Sequence, residues 1–461
     1  MTASSPELIA ARIDRLPASA PVWSWVARLS FGAFFEIYEV ALTSLLAPLL
    51  VKAGVFNKGS AGLFGLPDLA SFAFCTFFGL FIGALVFSTV SDRYGRRPVF
   101  TFSLIWYAVA TLLMAAQHTA FAICLWRLIA AIGIGAEVVA IDTYLAELMP
   151  QRMRGRGFAI SKSIQYTAIP LCGILAAVLA HRTVGGIEGW RIMLLVPAVG
   201  AVLIWWVRRA LPESPRWLAS HGRLPEAEGV LDRVEDAIRL RTGKPLPPIV
   251  EVSATGPCGE YRYFDLFRAP LLRRTLMMLI ASSAGAVAFF GFSNWLPSLL
   301  EERGVELTKS LLYSALVAFS YPIAPFLFSF FADRYERKWQ NIVGAAIVAA
   351  CGLLFAGQTT FAGWIFFGVL ITIGNNLASY SMHTYRAELF PTGIRARAVG
   401  LVYSIDRLSA AFSSYVIGFI LVSSGVTGVL AFVTAAALLN TLAVAIFGPK
   451  TLVVPAEGIQ K

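Results

Sequence analysis

Two carboxylates three residues apart, Glu36 and Glu39, sit in the apolar run 34–42. At that spacing they share one face of a helix. Two acids held close in a low-dielectric setting do not both ionise easily, so one of them is a candidate to exchange a proton near neutral pH. An ionisable side chain at the centre of a bilayer costs about 2.5–3.5 kcal/mol on insertion scales and needs a partner or an aqueous cavity. Further charges of this kind are Arg127, Glu137 and Asp142 in one apolar run, and Asp406 and Arg407 in another. Asp406 and Arg407 are neighbours, about 100° apart on a helix, so they do not pair with each other. An arginine offers a two-pronged donor fork for a carboxylate. Arg407 is thus either a ligand for an acidic substrate or a charge neutralised by Glu137 or another acid. Asn294, Asn375, Asn376 and His383 are weaker polar candidates, either lining a cavity or bonding helix to helix.

Enzyme chemistry has little to work with. There are four histidines and no metal-ligand cluster, Ser/His/Asp set or phosphate loop, so no enzyme activity, cofactor or metal is expected. The five cysteines are odd in number and widely spaced, and four of them lie in apolar runs. They read as small buried hydrophobes.

The elements that must hold these charges are membrane helices. Of 461 residues, 57% are hydrophobic and only 14% charged, against about 25% charged in a soluble protein. Runs of about 20 apolar residues occur near 25–50, 69–90, 98–116, 120–145, 157–180, 191–208, 272–299, 310–331, 340–357, 361–385, 398–421 and 425–447. The fold expected is an all-α integral membrane protein. It has twelve transmembrane helices in two pseudo-symmetric six-helix bundles, 23–208 and 271–448. A tail at 1–22, a central loop at 209–270 with one or two short amphipathic helices, and a tail at 449–461 complete the chain. Most of the 38 Lys and Arg fall on one side of this plan. Six fall opposite: Lys52, Lys58, Arg182, Arg191, Arg303 and Lys309. The basic side, with both termini, is expected in the cytoplasm. The net charge of +11 then needs no nucleic acid; a basic face beside anionic lipid accounts for it.

The chain repeats itself. Ser88, Asp92, Arg93, Tyr94 and Arg96 recur 241 residues later as Ser329, Asp333, Arg334, Tyr335 and Arg337. Tyr144, Ala146, Glu147, Leu148, Pro150, Arg154 and Arg156 recur with the same shift as Tyr385, Ala387, Glu388, Leu389, Pro391, Arg395 and Arg397. Two charged motifs sharing one shift mark parallel halves, as in transporters whose site lies between two rocking repeats.

These motifs resemble those of the major facilitator superfamily. The stretch S-D-R-Y-G-R-R-P at 91–98 resembles its signature G-x-x-x-D-R-x-G-R-R, with Ser88 in place of the first glycine. Pro212-Glu213-Ser214-Pro215-Arg216-Trp217-Leu218, and Arg127 with Gly133 and Gly135, are similar to sugar-porter signatures. The Q-Q-x-S-G motif of true sugar carriers is missing. The stretches 135–150 and 388–407 instead look like the metabolite–proton symporter branch, which holds synaptic-vesicle-protein-like carriers and niacin- or aromatic-acid-type carriers. The resemblance implies that Glu39 pairs with Arg127 in proton coupling, tuned by Glu36; a fixed structural ion pair is the alternative. It also implies that Gln165 contacts substrate. By the repeat, Asp406 and Arg407 mirror Gln165 and Tyr166, so the expected substrate set is Gln165, Arg407, Asp406, Glu137, Asn294 and Asn376. The resemblance further implies an inner-face gate formed by Asp92, Arg96, Arg97, Glu147, Arg154, Glu213, Arg216, Asp333, Arg337, Glu388 and Arg395. The function expected is alternating-access transport of a small polar organic metabolite, a carboxylate by preference, in symport with protons. A monomer in the cell inner membrane is expected, with substrate, protons and lipid as its partners. The alternatives are a sugar or organic-cation carrier working by uniport or antiport, and a transport-dead sensor on the same scaffold.

Overall fold

A computed structural model describes residues 5–57, 67–180, 182–207, 211–249, 263–330, 335–390 and 392–451. Among the described residues, the regular structure is helical apart from one hairpin, β1 (Thr183–Val184) and β2 (Ile187–Glu188). The helices before it are α1 (Pro6–Asp14), α2 (Ala20–Lys52), α3 (Asp68–Tyr94), α4 (Arg96–Ala115), α5 (Ala120–Leu148), α6 (Arg154–Tyr166) and α7 (Ala168–Leu179). After it come α8 (Gly189–Val207), α9 (Pro215–Ser220), α10 (Leu224–Thr242), α11 (Leu272–Ser293), α12 (Leu296–Glu302), α13 (Leu307–Ala318), α14 (Ser320–Phe328), α15 (Arg337–Ala356), α16 (Phe361–Leu389) and α17 (Thr392–Phe447). Among the described residues, ten helical stretches are long and apolar enough to cross a membrane, counting α6–α7 and α13–α14 as one each. The apolar part of α8, Gly189–Gly200, is shorter.

The outer faces of these helices are apolar: Leu85, Phe102, Phe121, Val199, Leu353 and Phe419 are all exposed. A protein surface of this kind belongs in hydrocarbon, where helices satisfy every backbone group internally. The interior holds small residues where backbones meet. A Cβ on Gly83 would collide with the carbonyl of Ile132, and one on Gly135 with that of Leu80. Only glycine lets α3 and α5 approach this closely.

Helix α17 reverses at Gly425, whose φ of 66° and ψ of −165° are not helical. Both its ends reach one region. Its start follows directly on α16, where Tyr385 donates to Pro449 O at 2.6 Å. Its finish accepts from Lys338 of α15, whose Nζ donates to Ala445 O at 2.9 Å and to Gly448 O at 2.8 Å.

Among the described residues, two contacts between the sequence halves are the most extensive. Helix α3 packs on α17, where Phe74 stacks on Tyr415 with ring centres 4.6 Å apart. Helices α6–α7 pack on α13–α14, where Ser163 Oγ donates to Pro322 O at 2.6 Å. The 241-residue shift carries α3 onto α13–α14 and α6–α7 onto the first part of α17. The two contacts are therefore one contact used twice.

Residues 5–14 of the expected N-terminal tail are folded. Ser5 caps α1 by accepting from Leu8 N at 3.3 Å. Ile9 and Ile13 then bury against Trp217 and Leu218 of α9 and Leu231 of α10. Arg12 bonds Asp232 at 2.7 Å and Glu235 at 3.0 Å, Arg15 reaches Glu235 at 2.7 Å, and Arg216 bonds Asp14 at 2.9 Å.

Candidate functional site

Four helices meet at Arg127. Its Nη1 donates to Glu39 Oε2 at 2.8 Å, and its Nη2 to Glu39 O at 2.6 Å and Thr43 Oγ1 at 2.8 Å; its Nε donates to Thr76 Oγ1 at 2.9 Å. Thr111 Oγ1 donates to the other carboxylate oxygen of Glu39 at 2.6 Å. Both side chains are fully buried, and the guanidinium lies 5.4 Å from the centre of the Phe72 ring. Glu39 and Arg127 thus come together as the sequence implied. Glu36, one turn earlier, faces elsewhere: it lines a cavity of about 210 Å³.

That cavity is charged on both sides. From the N-terminal half come Glu36, Asp142 and Lys162; from the C-terminal half come Arg386, Asp406 and Arg407. Lys162 Nζ stands 3.4 Å from Asp142 Oδ1 and donates to Gln165 Oε1 at 3.2 Å. Arg386 Nη2 is 2.5 Å from Asp406 Oδ2. Arg407 donates to Tyr403 OH at 2.6 Å and lies 5.2 Å from the centre of the Phe290 ring. The amide nitrogens of Asn294 and Asn375 are buried there with no hydrogen-bond partner among the described residues. The arrangement can hold a small molecule with an anionic end against a cation and an aromatic face.

Several expected contacts are placed differently. Gln165 is buried behind the cavity wall: its Nε2 donates to Ser161 Oγ at 2.8 Å and its Oε1 takes the Lys162 bond. Asn376 turns inward and donates to Thr372 O at 2.9 Å, leaving Asn375 to face the cavity. The reason is helical: adjacent residues point about 100° apart, and one of the two must look away. Glu137 is fully buried on α5 and does not line the cavity. The acid bonded beside Arg407 is Asp406, and its partner is Arg386. Lys162 was missed by sequence reading. The signal for it was an unbalanced acid, Asp142, in the preceding apolar run.

Two pairs of the expected gate residues match across the repeat. Arg96 bonds Glu147 through Nη2 at 2.9 Å and Nε at 3.2 Å, and its repeat Arg337 reaches Glu388 at 3.4 Å. Tyr144 donates to Pro212 O as Tyr385 does to Pro449 O. These pairs lie within each half and do not cross between halves. Glu213 accepts from the backbone N–H of Arg96 at 3.1 Å and of Arg97 at 3.3 Å, capping α4. Burial nonetheless pushes its carboxyl above the ordinary range, outweighing the backbone bonds from Ser214, Arg96 and Arg97 that favour the ionised form. Arg216 serves α1 instead, through Asp14. Arg154 begins α6, and Arg97 is exposed. Asp333 lies outside the described residues, as do the side chains of Asp92 and Arg395.

Helices that expose hydrocarbon-like faces, with a charge-lined cavity between two related halves, define a membrane transporter rather than an enzyme. The chain belongs to the Sugar (and other) transporter family, which matches residues 25–461, and so to the sugar-porter-like part of the major facilitator superfamily. It is similar to an inner membrane metabolite transport protein of Escherichia coli, 27% identical over 461 residues and covering 98% of each chain. It is also similar to the niacin transporter of Acinetobacter baylyi, 24% identical over 418 residues, or 90% of this chain and 91% of that one. Among solved structures, the Escherichia coli xylose transporter in a partially occluded inward-open conformation has a TM-score of 0.71 at 19% identity, covering 94% of this chain and 99% of that one. At that identity the likeness is one of fold.

Proposed function

We propose that the protein carries a small organic carboxylate across the cell inner membrane by alternating access, in symport with one proton. The observation that carries this reading is the cavity at Arg407. Its guanidinium bonds a neutral side chain, Tyr403, lies over Phe290, and faces space large enough for a small molecule. Niacin, carried by one relative, is a carboxylic acid. Glu39 and Arg127 are assigned the proton: the pair is fully buried and poised to break on protonation of Glu39, and Glu36, one turn away, lines the cavity.

In this reading the membrane domain has twelve transmembrane helices in two six-helix bundles, 23–208 and 271–448, with α8 and the two arms of α17 completing the count. Residues 209–270 and both termini lie in the cytoplasm, and the molecule works as a monomer. The Arg96–Glu147 and Arg337–Glu388 clusters stand at the inner ends of the bundles and take part in closing that side. An organic cation is the second reading, favoured by Glu36 and Asp142 on the cavity wall.

The test is uptake of a labelled panel of carboxylates, sugars and organic cations into proteoliposomes, with and without a pH gradient. Gradient-dependent accumulation of a carboxylate is the expected result. Accumulation of cations alone would replace this reading with the second.

A further inference from the structure

Arg127, Arg386, Arg407 and Lys162 are cations on the apolar helices, and they differ in how fully they are occupied. Arg127 has four acceptors at 2.6–2.9 Å and does not line the cavity. Arg386 is neutralised by Asp406 at 2.5 Å, although its Nε and Nη1 have no partner among the described residues. Arg407 spends one bond on a neutral phenol. Lys162 is loosely held, with Asp142 at 3.4 Å and Gln165 at 3.2 Å. An ammonium has three donors, and a well-made charged bond to a carboxylate is about 2.7–2.9 Å. All three cavity cations have donors to spare, but the charge of Arg386 is already matched by a closely bonded carboxylate, whereas among the described residues Lys162 on α6, from the N-terminal half, has its acid at 3.4 Å and Arg407 on α17, from the C-terminal half, bonds a neutral phenol. They serve one space: both line the same cavity, with Glu36 and Tyr403.

We infer that Lys162 is a second anion-gripping residue, which gives up Asp142 for the substrate carboxylate so that the anion is held between Lys162 and Arg407. This rests on the carboxylate reading above and adds to it a residue and a mechanism. A carboxylate has two oxygens and about four lone-pair sites, enough for an ammonium and a guanidinium together. Held from both halves, it stabilises the state in which the halves are closed around it more than the states in which they are apart. A ligand shifts an equilibrium only by such a difference. Asp142 is the internal competitor: in the empty protein it takes Lys162, and in the loaded protein it is released toward the cavity. The roles are asymmetric, which a merely structural ion pair would not produce. Removing the lysine weakens the anion, and neutralising its competitor strengthens it.

The experiment uses the full chain purified in detergent. Binding is measured by thermal stabilisation and by displacement, for a panel of monocarboxylates that includes nicotinate and benzoate, each beside its uncharged amide. The wild type is expected to prefer at least one acid over its amide. Lys162→Met should weaken that acid by about 10-fold or more, the scale of one hydrogen bond to a charged group, and leave the amide unchanged. Lys162→Arg should recover most of the loss, and Asp142→Asn should tighten the acid several-fold. If Lys162→Met alone fails to fold, the Lys162→Met/Asp142→Asn protein removes both charges together and should bind the acid as weakly as expected of the single variant. Acid affinity within twofold of wild type in either of these lysine variants overturns the inference, as does equal weakening by Asp142→Asn and Lys162→Met. If those results come with loss of acid binding in Arg407→Gln, the carboxylate reading stands without Lys162. If no acid on the panel is preferred to its amide, both fall.

Discussion

Replacing Glu39 by Gln should uncouple transport from the proton gradient without stopping exchange. In the native protein one carboxylate faces one guanidinium at 2.8 Å, so one proton is the most this pair can move per cycle. A proton travelling with a monoanion carries no net charge, and the membrane potential, worth about 2.3 kcal/mol per charge per 100 mV, drops out. The drive is the pH gradient alone. One pH unit is about 1.36 kcal/mol, which sets a ceiling of about tenfold accumulation. Glutamine keeps an oxygen for the bond from Thr111 and the backbone carbonyl for Arg127 Nη2, but it cannot release a proton. Accumulation should fall to about onefold, while counterflow of labelled against unlabelled substrate persists. Arg127→Ala should do wider damage, because it strands a buried carboxylate and removes a donor to Thr43 and Thr76; breaking a buried pair costs about 3–5 kcal/mol. The assay is uptake and counterflow in the same proteoliposomes, at several imposed pH gradients and membrane potentials. Near-tenfold accumulation per pH unit in Glu39→Gln refutes the assignment. A strong response of the wild type to membrane potential refutes the charge balance.

Three further outcomes are expected. Arg407→Lys should weaken a carboxylate by about 10-fold, since the donor fork is lost, and leave the matching amide alone; equal acid affinity in both proteins removes Arg407 from the site. Gly135→Ala should lower the melting temperature by an overpacking cost of about 1–3 kcal/mol, because its Cβ would meet the Leu80 backbone. Gly285→Ala, whose Cβ would stand 3.5 Å from the nearest atom, on Asn440, should be mild. Docking of α1 should depend on pH through Glu235. Burial alone would raise this carboxyl, but the bonds and charges of Arg12 and Arg15 outweigh it and hold it below the ordinary value of 4.5. A depressed folded value means that its contribution is complete above about pH 4.5 and is lost as pH falls through the lower folded value. Protection of the α1 amides, corrected for the intrinsic pH dependence of exchange, should therefore fall in the wild type as pH drops below about 4.5, and should be low at pH 7 already in Glu235→Gln.

Much of this was legible in the residues, for identifiable reasons. The apolar runs predicted the long helices to within a few residues, because a bilayer demands length and apolarity together. The 241-residue shift announced paired clusters, and Arg96–Glu147 and Arg337–Glu388 share one spacing. The Glu39–Arg127 pair was implied by the family resemblance, and it meets the need of a charge in hydrocarbon for an opposite one. What was hidden depends on rotation about a helix axis. Nothing in the order Asn375-Asn376 says which amide looks inward, and nothing in Gln165 says that Ser161 and Lys162 will take it. Lys162 was overlooked because a lysine near the start of an apolar run looks like an anchor at the water interface. The fold of α1 was overlooked because nine residues with only a few apolar positions are too short to be stable except against a partner, here α9 and α10.

The network around Arg127 also sets an order of manufacture. Its acceptors on Glu39, Thr43 and Thr76 belong to α2 and α3, and Thr111 on α4 orients Glu39. All of these are synthesised before α5. When the ribosome delivers α5, the groups that neutralise its guanidinium are already in the bilayer. A circularly permuted chain that began at α5 would end with every one of these bonds. It would have to insert its arginine, at about 2.5–3.5 kcal/mol, before any of them existed.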